Sequence, residues 1–283
     1  MRETISRAAP LRLPGEATVA QPSTMRIFEH LEELRGRLKW SFLTVFFLFI
    51  FFVTFQARVA DVGGVSVPYP YPDPLRPFAS QFFNLTLTFL KPDFVEAVVL
   101  SPAESWIVQM KTAVFLAVLV GLPMVSYQMA SFIAPALYER ERRAILVLVV
   151  PSLLLFAAGV ALAMFVVLPI TFSFLYSIAS GLGAQRLFLP LEEFLNFTLI
   201  FTLGFGLAFE LPVVMYALSA TGIVRAATWK KYWRFAVIGI FVFGAMITPD
   251  GSGVTMMLVS LPMLGLYLAG YVAALAHERN VRK

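Results

Sequence analysis

The sequence predicts an all-α integral membrane protein with six transmembrane helices and both ends of the chain in the cytoplasm. Hydrophobic residues make up 59% of the 283 residues and charged residues only 14%, and the mean hydropathy is +0.80. Soluble domains carry about 25% charged residues, so this chain lacks the polar surface to cover a water-soluble globule of its size. Its apolar residues also form blocks long enough to cross a bilayer.

Six apolar blocks are candidates for the membrane spans. They cover residues 38–55, 112–134, 144–176, 194–220, 233–247 and 254–276. At a rise of about 1.5 Å per residue against a hydrocarbon core of about 30 Å, the second and sixth blocks match the bilayer, the third projects beyond it and the fifth is short. The last two blocks alternatively form one re-entrant hairpin, although the turn sequence between them, residues 248–253, favours two crossings.

The basic residues orient these spans. Seventeen of the 22 Lys and Arg residues lie in residues 1–39, in the second and fourth connections and in the C-terminal tail. Because positive residues are retained on the cytoplasmic side, both termini are predicted there, as an even number of spans requires. Residues 1–24 are polar and predict a disordered cytoplasmic tail, residues 25–276 form the membrane domain, and residues 277–283 form a second cytoplasmic tail.

The first outer connection contains a Pro-rich run at residues 67–74, where Pro alternates with Val, Tyr and Asp. This composition predicts an extended, semi-rigid surface spacer. We expect the helix before it to be retained rather than cleaved as a signal peptide. Its apolar block is longer than the apolar region of a signal peptide, which has roughly 7 to 15 residues. Arg58 also disrupts the pattern of small residues that a cleavage site after this block would need.

The sequence contains no recognisable motif for catalysis or for cofactor binding. There is no Cys, no Lys follows a Gly as in a phosphate loop, and neither His30 nor His277 belongs to a zinc-binding H-E-x-x-H motif. No repeat relates residues 38–176 to residues 194–276, which argues against an inverted-repeat transporter. We therefore expect no enzyme activity, no cofactor and no metal.

Two acidic groups at the cytoplasmic surface are the first candidate sites. In the amphipathic segment 28–38, which leads into the first span, Leu residues recur every three or four positions and leave Glu33 at the surface. Glu33 either forms an ordinary ion pair with Arg37, one helical turn away, or belongs to a site that receives a cationic ligand. Glu141, in the next cytoplasmic connection, either neutralises neighbouring Arg residues or joins Glu33.

Glu210 is the third candidate, because it lies deep in the fourth block. An unpaired charge there costs about 2.5 to 3.5 kcal/mol or more, so we expect Glu210 to face protein or a water-filled concavity. Pro212 frees a carbonyl near Ala208 and predicts a break in the helix. Prolines in four of the six spans further predict a curved, concave bundle. They are Pro123, Pro151, Pro169, Pro212 and Pro262.

Three motifs in this order carry a family resemblance. They are HLEELRGRL at 30–38, YQMASFIAPALYERERR at 127–143 and GLAFELPV at 206–213, and SPAE at 101–104 and TPD at 248–250 fit the same pattern. Together they strongly resemble the TatC family, the multispanning receptor subunit of the twin-arginine protein translocase. The resemblance covers about residues 26–276. The chain departs from the family at 255–257, where it reads Thr-Met-Met and the family often carries a Gln.

The resemblance implies a receptor that binds the Arg-Arg motif of signal peptides on folded proteins. It implies work with single-span partners of the TatA and TatB type, driven by the proton-motive force without ATP, in an oligomeric complex of the prokaryotic cytoplasmic membrane. The implied peptide-binding residues are Glu33, Glu141, Arg35, Phe132 and Arg143. The implied intramembrane functional carboxyl is Glu210, and the candidate contacts with partner helices are Thr248, Asp250 and Met256.

Two functions from other classes stay open on the sequence. A proton-coupled small-molecule permease would use Glu210 as its proton carrier and would move a solute without partner subunits. A structural membrane scaffold would need neither Glu33 nor Glu210. The residues also leave the choice between a prokaryotic and a thylakoid membrane undecided.

Overall fold

The computed structural model describes residues 23–62, 65–133, 139–182, 187–248 and 252–281. Its helices are α1 (Ser23–Thr54), α2 (Phe78–Leu90), α3 (Glu104–Ile133), α4 (Glu139–Leu162), α5 (Leu168–Gly181), α6 (Leu191–Phe209), α7 (Leu211–Ala220), α8 (Ala226–Lys231), α9 (Trp233–Ile247) and α10 (Gly253–Val281). A π-helical turn, Ala163–Val167, joins α4 to α5. The strands are β1 (Phe55–Val62), β2 (Val65–Pro72), β3 (Val95–Val98) and β4 (Leu187–Pro190).

Five helical stretches among the described residues are long and apolar enough to cross a membrane. They are Leu31–Thr54, Glu104–Phe132, Val147–Gly181, Leu191–Ala220 and Gly253–Arg279. The remaining predicted block forms α9, whose 15 residues rise only about 22 Å. The prediction of a helical membrane protein is therefore confirmed, while the sixth crossing stays a prediction.

The helices extend beyond several predicted boundaries. The helix that contains the second predicted span begins at Glu104 rather than at residue 112. Its first turn is polar and is held by hydrogen bonds of Glu104, so a search for apolar residues does not include it. The last helix continues past residue 276 to Val281, so the predicted tail is helical as far as the structure describes it. The predicted tail 1–24 lies outside the described residues, except that Ser23 and Thr24 begin α1.

The prolines of the membrane spans fall into two groups. Pro123, Pro151 and Pro262 lie inside α3, α4 and α10, and each helix continues through its proline. Long membrane helices tolerate the loss of one backbone hydrogen bond when neighbouring bonds remain. The two interruptions lie beside Pro169, which follows the π-helical turn, and beside Pro212, where α6 gives way to α7.

The Pro-rich run is a paired strand rather than a spacer. β2 pairs antiparallel with β1, and Pro70 lies opposite Ala57. The N–H and C=O of Ala57 bond instead to the side-chain amide of Gln81 on α2, at 3.1 and 3.2 Å. Because hydrogen-bonded and non-bonded pairs alternate along an antiparallel ladder, Pro68 and Pro72 share the type of position that Pro70 occupies. Three prolines at two-residue spacing therefore leave the ladder intact.

Close glycine contacts bring α4 against α6. A Cβ at Gly159 of α4 would lie 2.6 Å from the Phe205 carbonyl oxygen, and a Cβ at Gly206 of α6 would lie 2.6 Å from the Phe156 ring. A Cβ at Gly270 of α10 would lie 2.7 Å from a methionine sulfur of α7. Small residues permit the close helix approach on which association in a membrane depends. We call α4, α6, α7 and α10 the central bundle.

Helix α1 is far more open than the central bundle. It packs mainly on α3. Val45 and Leu48 of α1 lie 3.3 and 3.4 Å from the position that a Cβ at Gly121 of α3 would take. None of the apolar window within Leu31–Thr54 is buried inside the structure. Phe42 and Phe47 expose 66% and 64% of their surface. We call the α1 and α3 pair the α1–α3 arm.

Candidate functional site

A cavity of about 410 Å³ lies within the α1–α3 arm. It is lined by Leu34, Arg37, Leu38 and Ser41 of α1 and by Val125, Gln128, Met129 and Phe132 of α3. Most of these side chains are apolar, and Arg37, Ser41 and Gln128 supply the polar groups. The structure thus places Phe132, one of the implied peptide-binding residues, in the wall of a cavity. We call it the arm cavity.

Glu33 is tied to the arm cavity through Arg37. The Nε and Nη2 atoms of Arg37 both donate to Glu33 Oε1, at 3.0 and 2.6 Å. The side chains are 27% and 34% exposed, respectively, so the pair is accessible from outside the protein. The ordinary ion pair that the spacing allowed is present, and it lies beside a cavity that the sequence did not reveal.

The structure says less about the remaining implied peptide-binding residues. Arg35 is exposed on α1, two residues from Glu33. Glu141 and Arg143 lie in the first turns of α4, but their side chains are outside the described part of the chain. Their approach to Glu33 therefore stays a prediction.

Glu210 lies at the break between α6 and α7. Its N–H donates to the Leu207 carbonyl at 3.1 Å, and its carbonyl accepts from the Val214 N–H at 3.0 Å, so its own backbone groups are hydrogen-bonded. The carboxyl is half-buried, and the side chain of Ser152 on α4 lies close enough to interact with it. The break beside Pro212 is as the sequence predicted, whereas Ser152 had not been singled out.

A stripe of small and polar residues at four-residue spacing leads away from Glu210 along α6. It consists of Gly206, Thr202 and Thr198. The buried Thr202 hydroxyl donates to the Thr198 carbonyl at 2.7 Å. The Phe156 ring of α4 packs on Gly206. The spacing is a property of the sequence, but the ring that covers Gly206 comes from another helix.

Glu104 joins α3 to α6 at one end of the bundle. Its buried carboxylate accepts from two backbone N–H groups just before α3 and from the Glu192 N–H at 2.9 Å. Lys111 donates to Glu192 Oε1 at 2.6 Å and to Asn196 Oδ1 at 2.9 Å. Glu104 of the SPAE motif therefore connects the first turn of α3 to the first turn of α6. Within the described ranges, no three acidic or His side chains form a group that could hold a metal ion.

The candidate partner contacts cluster near the α9–α10 connection. Thr248 is buried, and its hydroxyl donates to the Gly244 carbonyl of its own helix at 2.9 Å. Met256 is half-buried on α10, and Asp250 lies outside the described residues. The nearby side chains of Met246 and Met257 are 80% and 54% exposed. The available surface at this end is therefore rich in methionine.

Comparisons with known proteins identify the family of this chain. Residues 29–262 match the family described as Sec-independent protein translocase protein (TatC). A protein of that name from Cenarchaeum symbiosum is 39% identical over 258 residues, which cover 91% of this chain and 97% of the relative. A protein of the same name from Deinococcus radiodurans is 33% identical over 265 residues, which cover 92% of this chain and 91% of the relative.

Solved structures show the same relationship. A crystal structure described as the twin arginine translocase receptor TatC is similar with a TM-score of 0.70 at 28% identity, over 88% of this chain and 99% of that one. A second such structure, in the detergent DDM, gives 0.68 at 30% identity over 86% and 98% of the two chains. The permease alternative has no support among these relatives. The chain belongs to the TatC family of Sec-independent protein translocase proteins.

Proposed function

We propose that this TatC-family protein receives twin-arginine signal peptides at Glu33, beside the arm cavity. One observation carries the proposal: the Glu33 carboxylate accepts two N–H groups of a guanidinium, at 3.0 and 2.6 Å, next to an apolar cavity of about 410 Å³. A carboxylate so placed suits an incoming arginine, and the cavity suits the apolar residues of the same peptide. The crystal structures of similar chains are described as twin arginine translocase receptors, which supports the proposal.

Two acids suit two arginines. In our proposal Glu141, in the first turns of α4, supplies the second carboxylate, while Arg35, Phe132 and Arg143 surround the bound motif. Planar guanidinium groups form paired hydrogen bonds with carboxylates, and ammonium groups do not. The site would therefore prefer arginine to lysine.

The topology follows from the charge distribution. We propose six spans, with α9 as a short fifth crossing, in a curved, concave bundle. Both termini lie in the cytoplasm, since most basic residues flank the connections assigned to that side. The protein would reside in the prokaryotic cytoplasmic membrane, in an oligomeric complex with TatA- and TatB-type partners. It would use the proton-motive force and perform no catalysis of its own.

The second acidic site serves transport rather than first recognition. Glu210 lies at a helix break beside Ser152, where we propose that it acts after the peptide has bound. Thr248, Asp250 and Met256 are the proposed contacts with single-span partners. The exposed methionines beside them support an apolar helix contact there, because methionine adapts to irregular apolar surfaces.

The test replaces Glu33 with alanine and measures the binding of twin-arginine and twin-lysine peptides to protein in nanodiscs. We expect Glu33→Ala to weaken twin-arginine binding by about tenfold or more, because a charge-assisted hydrogen bond is lost. Twin-lysine binding should change far less. Glu32→Ala, which removes the exposed neighbouring acid, is the control and should leave both peptides unaffected.

Equal losses for the two peptides would contradict the arginine-specific site. The location of the chain ends provides an independent test of the orientation. A cysteine placed near residue 5 of this cysteine-free chain should react with an impermeant thiol reagent only from the cytoplasmic side. Labelling from the opposite side would mean that Glu33 does not face the compartment in which signal peptides are made.

A further inference from the structure

We infer that Arg37 is a built-in competitor for the peptide site. It occupies Glu33 until a signal-peptide arginine displaces it. The inference rests on the proposed function, because it concerns the same carboxylate. It adds a residue that raises the threshold for binding at this carboxylate.

The guanidinium of Arg37 occupies the Glu33 oxygen that an incoming arginine would bind. Arg37 places Nε and Nη2 on the same oxygen of Glu33, at 3.0 and 2.6 Å. An incoming arginine that binds this oxygen in the same way must displace both donors. Because Arg37 lies one helical turn from Glu33, it returns to the carboxylate without having to diffuse there.

The position of Arg37 also allows displacement. Its side chain is 27% exposed and lines the arm cavity together with the polar side chains of Ser41 and Gln128. A displaced guanidinium therefore remains among polar side chains of the same cavity lining. Partly exposed ion pairs of this kind are weak, so their exchange requires little free energy.

Exchange at Glu33 lowers the affinity of any peptide whose arginine must displace Arg37. That arginine replaces one guanidinium–carboxylate contact with another, so the net gain in binding free energy is smaller than at an unoccupied carboxylate. A lysine cannot reproduce the two-donor contact on Glu33 Oε1 and displaces Arg37 less well.

The experiment measures the affinity of labelled Arg-Arg, Arg-Lys and Lys-Lys peptides for the full chain in nanodiscs. We expect Arg37→Gln to bind the Arg-Arg peptide about twofold to fivefold more tightly, the factor that a weak ion pair contributes. An Arg-Lys peptide whose arginine occupies Glu33 should gain by the same factor, because a competitor at that carboxylate lowers the affinity of every arginine that must displace it equally. Lys39→Gln removes an equal charge two residues away on the same exposed helix and should reproduce neither effect.

Two further variants separate competition from bulk charge. Arg37→Lys keeps the charge but loses the two-donor contact, so it should also bind the Arg-Arg peptide more tightly than the wild type. In a Glu33→Gln background, Arg37→Gln should have no effect, because there is no carboxylate left to compete for. Equal affinities of Arg37→Gln and Lys39→Gln, or no change with Arg37→Lys, would overturn the inference.

Different results would rule out the peptide site at Glu33 and the competitor role of Arg37. If the wild type prefers Arg-Arg to Lys-Lys and Glu33→Gln removes that preference, the peptide site stands whatever Arg37 does. If substitution of Arg37 then leaves affinity unchanged, the competitor inference alone is wrong. If the wild type shows no preference among the three peptides, the proposed function of Glu33 is wrong, and the competitor inference is wrong with it.

Discussion

The two acidic sites lie in regions that are built differently. Glu210 belongs to the central bundle, where Gly159 and Gly206 allow helix contacts so close that a methyl group would collide with a neighbour. Glu33 belongs to the α1–α3 arm, where α1 is exposed and both helices line a cavity of about 410 Å³. The central bundle also borders a cavity, of about 390 Å³, on the side of α4 that faces α3, but the α4–α6 contact itself is close. The contrast therefore lies between that contact and the space beside the Glu33–Arg37 pair.

The difference indicates different tasks. A closely packed interface keeps a functional group in one geometry, because small-residue contacts leave neighbours little room to shift. A cavity beside an exchangeable ion pair lets a ligand enter without unfolding the structure. We therefore assign positional precision to the central bundle and ligand exchange to the α1–α3 arm.

The largest expected effect comes from breaking the central bundle. Gly159→Leu places side-chain atoms against the backbone carbonyl of Phe205, which cannot rotate away, and should destabilise the protein by about 1 to 3 kcal/mol or more. The midpoint of thermal unfolding in detergent measures it. Gly265→Leu, on a glycine of α10 with open space around it, is the matched control. Equal shifts for the two variants would refute the packing contrast.

A smaller effect is expected at Glu210, and on transport rather than on folding. Glu210→Ala should leave peptide affinity nearly unchanged and lower translocation into membrane vesicles by about tenfold, because the carboxyl at the helix break is lost. Glu96→Ala, on the exposed strand β3, should have no effect on either measurement. A full loss of peptide binding in Glu210→Ala would instead place Glu210 in the primary receptor site.

The smallest of these effects is expected in the arm cavity. Phe132→Ala removes part of the apolar lining and should weaken twin-arginine peptide binding by about fivefold, equivalent to about 1 kcal/mol of apolar contact. Thermal stability should change little, because α1 is already exposed. Tyr127→Ala removes a 54% exposed ring of the same helix outside the cavity lining, and its peptide affinity should match the wild type. A larger loss of stability than in Gly159→Leu would reverse the comparison.

Local patterns predicted much of the candidate site. The spacing of Glu33 and Arg37 already indicated an ion pair, and Pro212 indicated the break at Glu210. Local patterns did not predict the β1–β2 hairpin, because composition identifies an extended run but not the strand with which that run pairs. The prolines at 123, 151 and 262 lie inside helices that continue through them, and the curvature expected from these prolines stays a prediction.

The sequence by itself determined the membrane class, the family and the acidic residues worth testing, since apolar block length and spaced motifs are local properties of the chain. Only the tertiary structure decided that Arg37 and Phe132 line one cavity, that Ser152 meets Glu210 and that Gly159 lies against Phe205. Each of these contacts joins different helices. Such contacts depend on how whole helices cross, which no local pattern specifies.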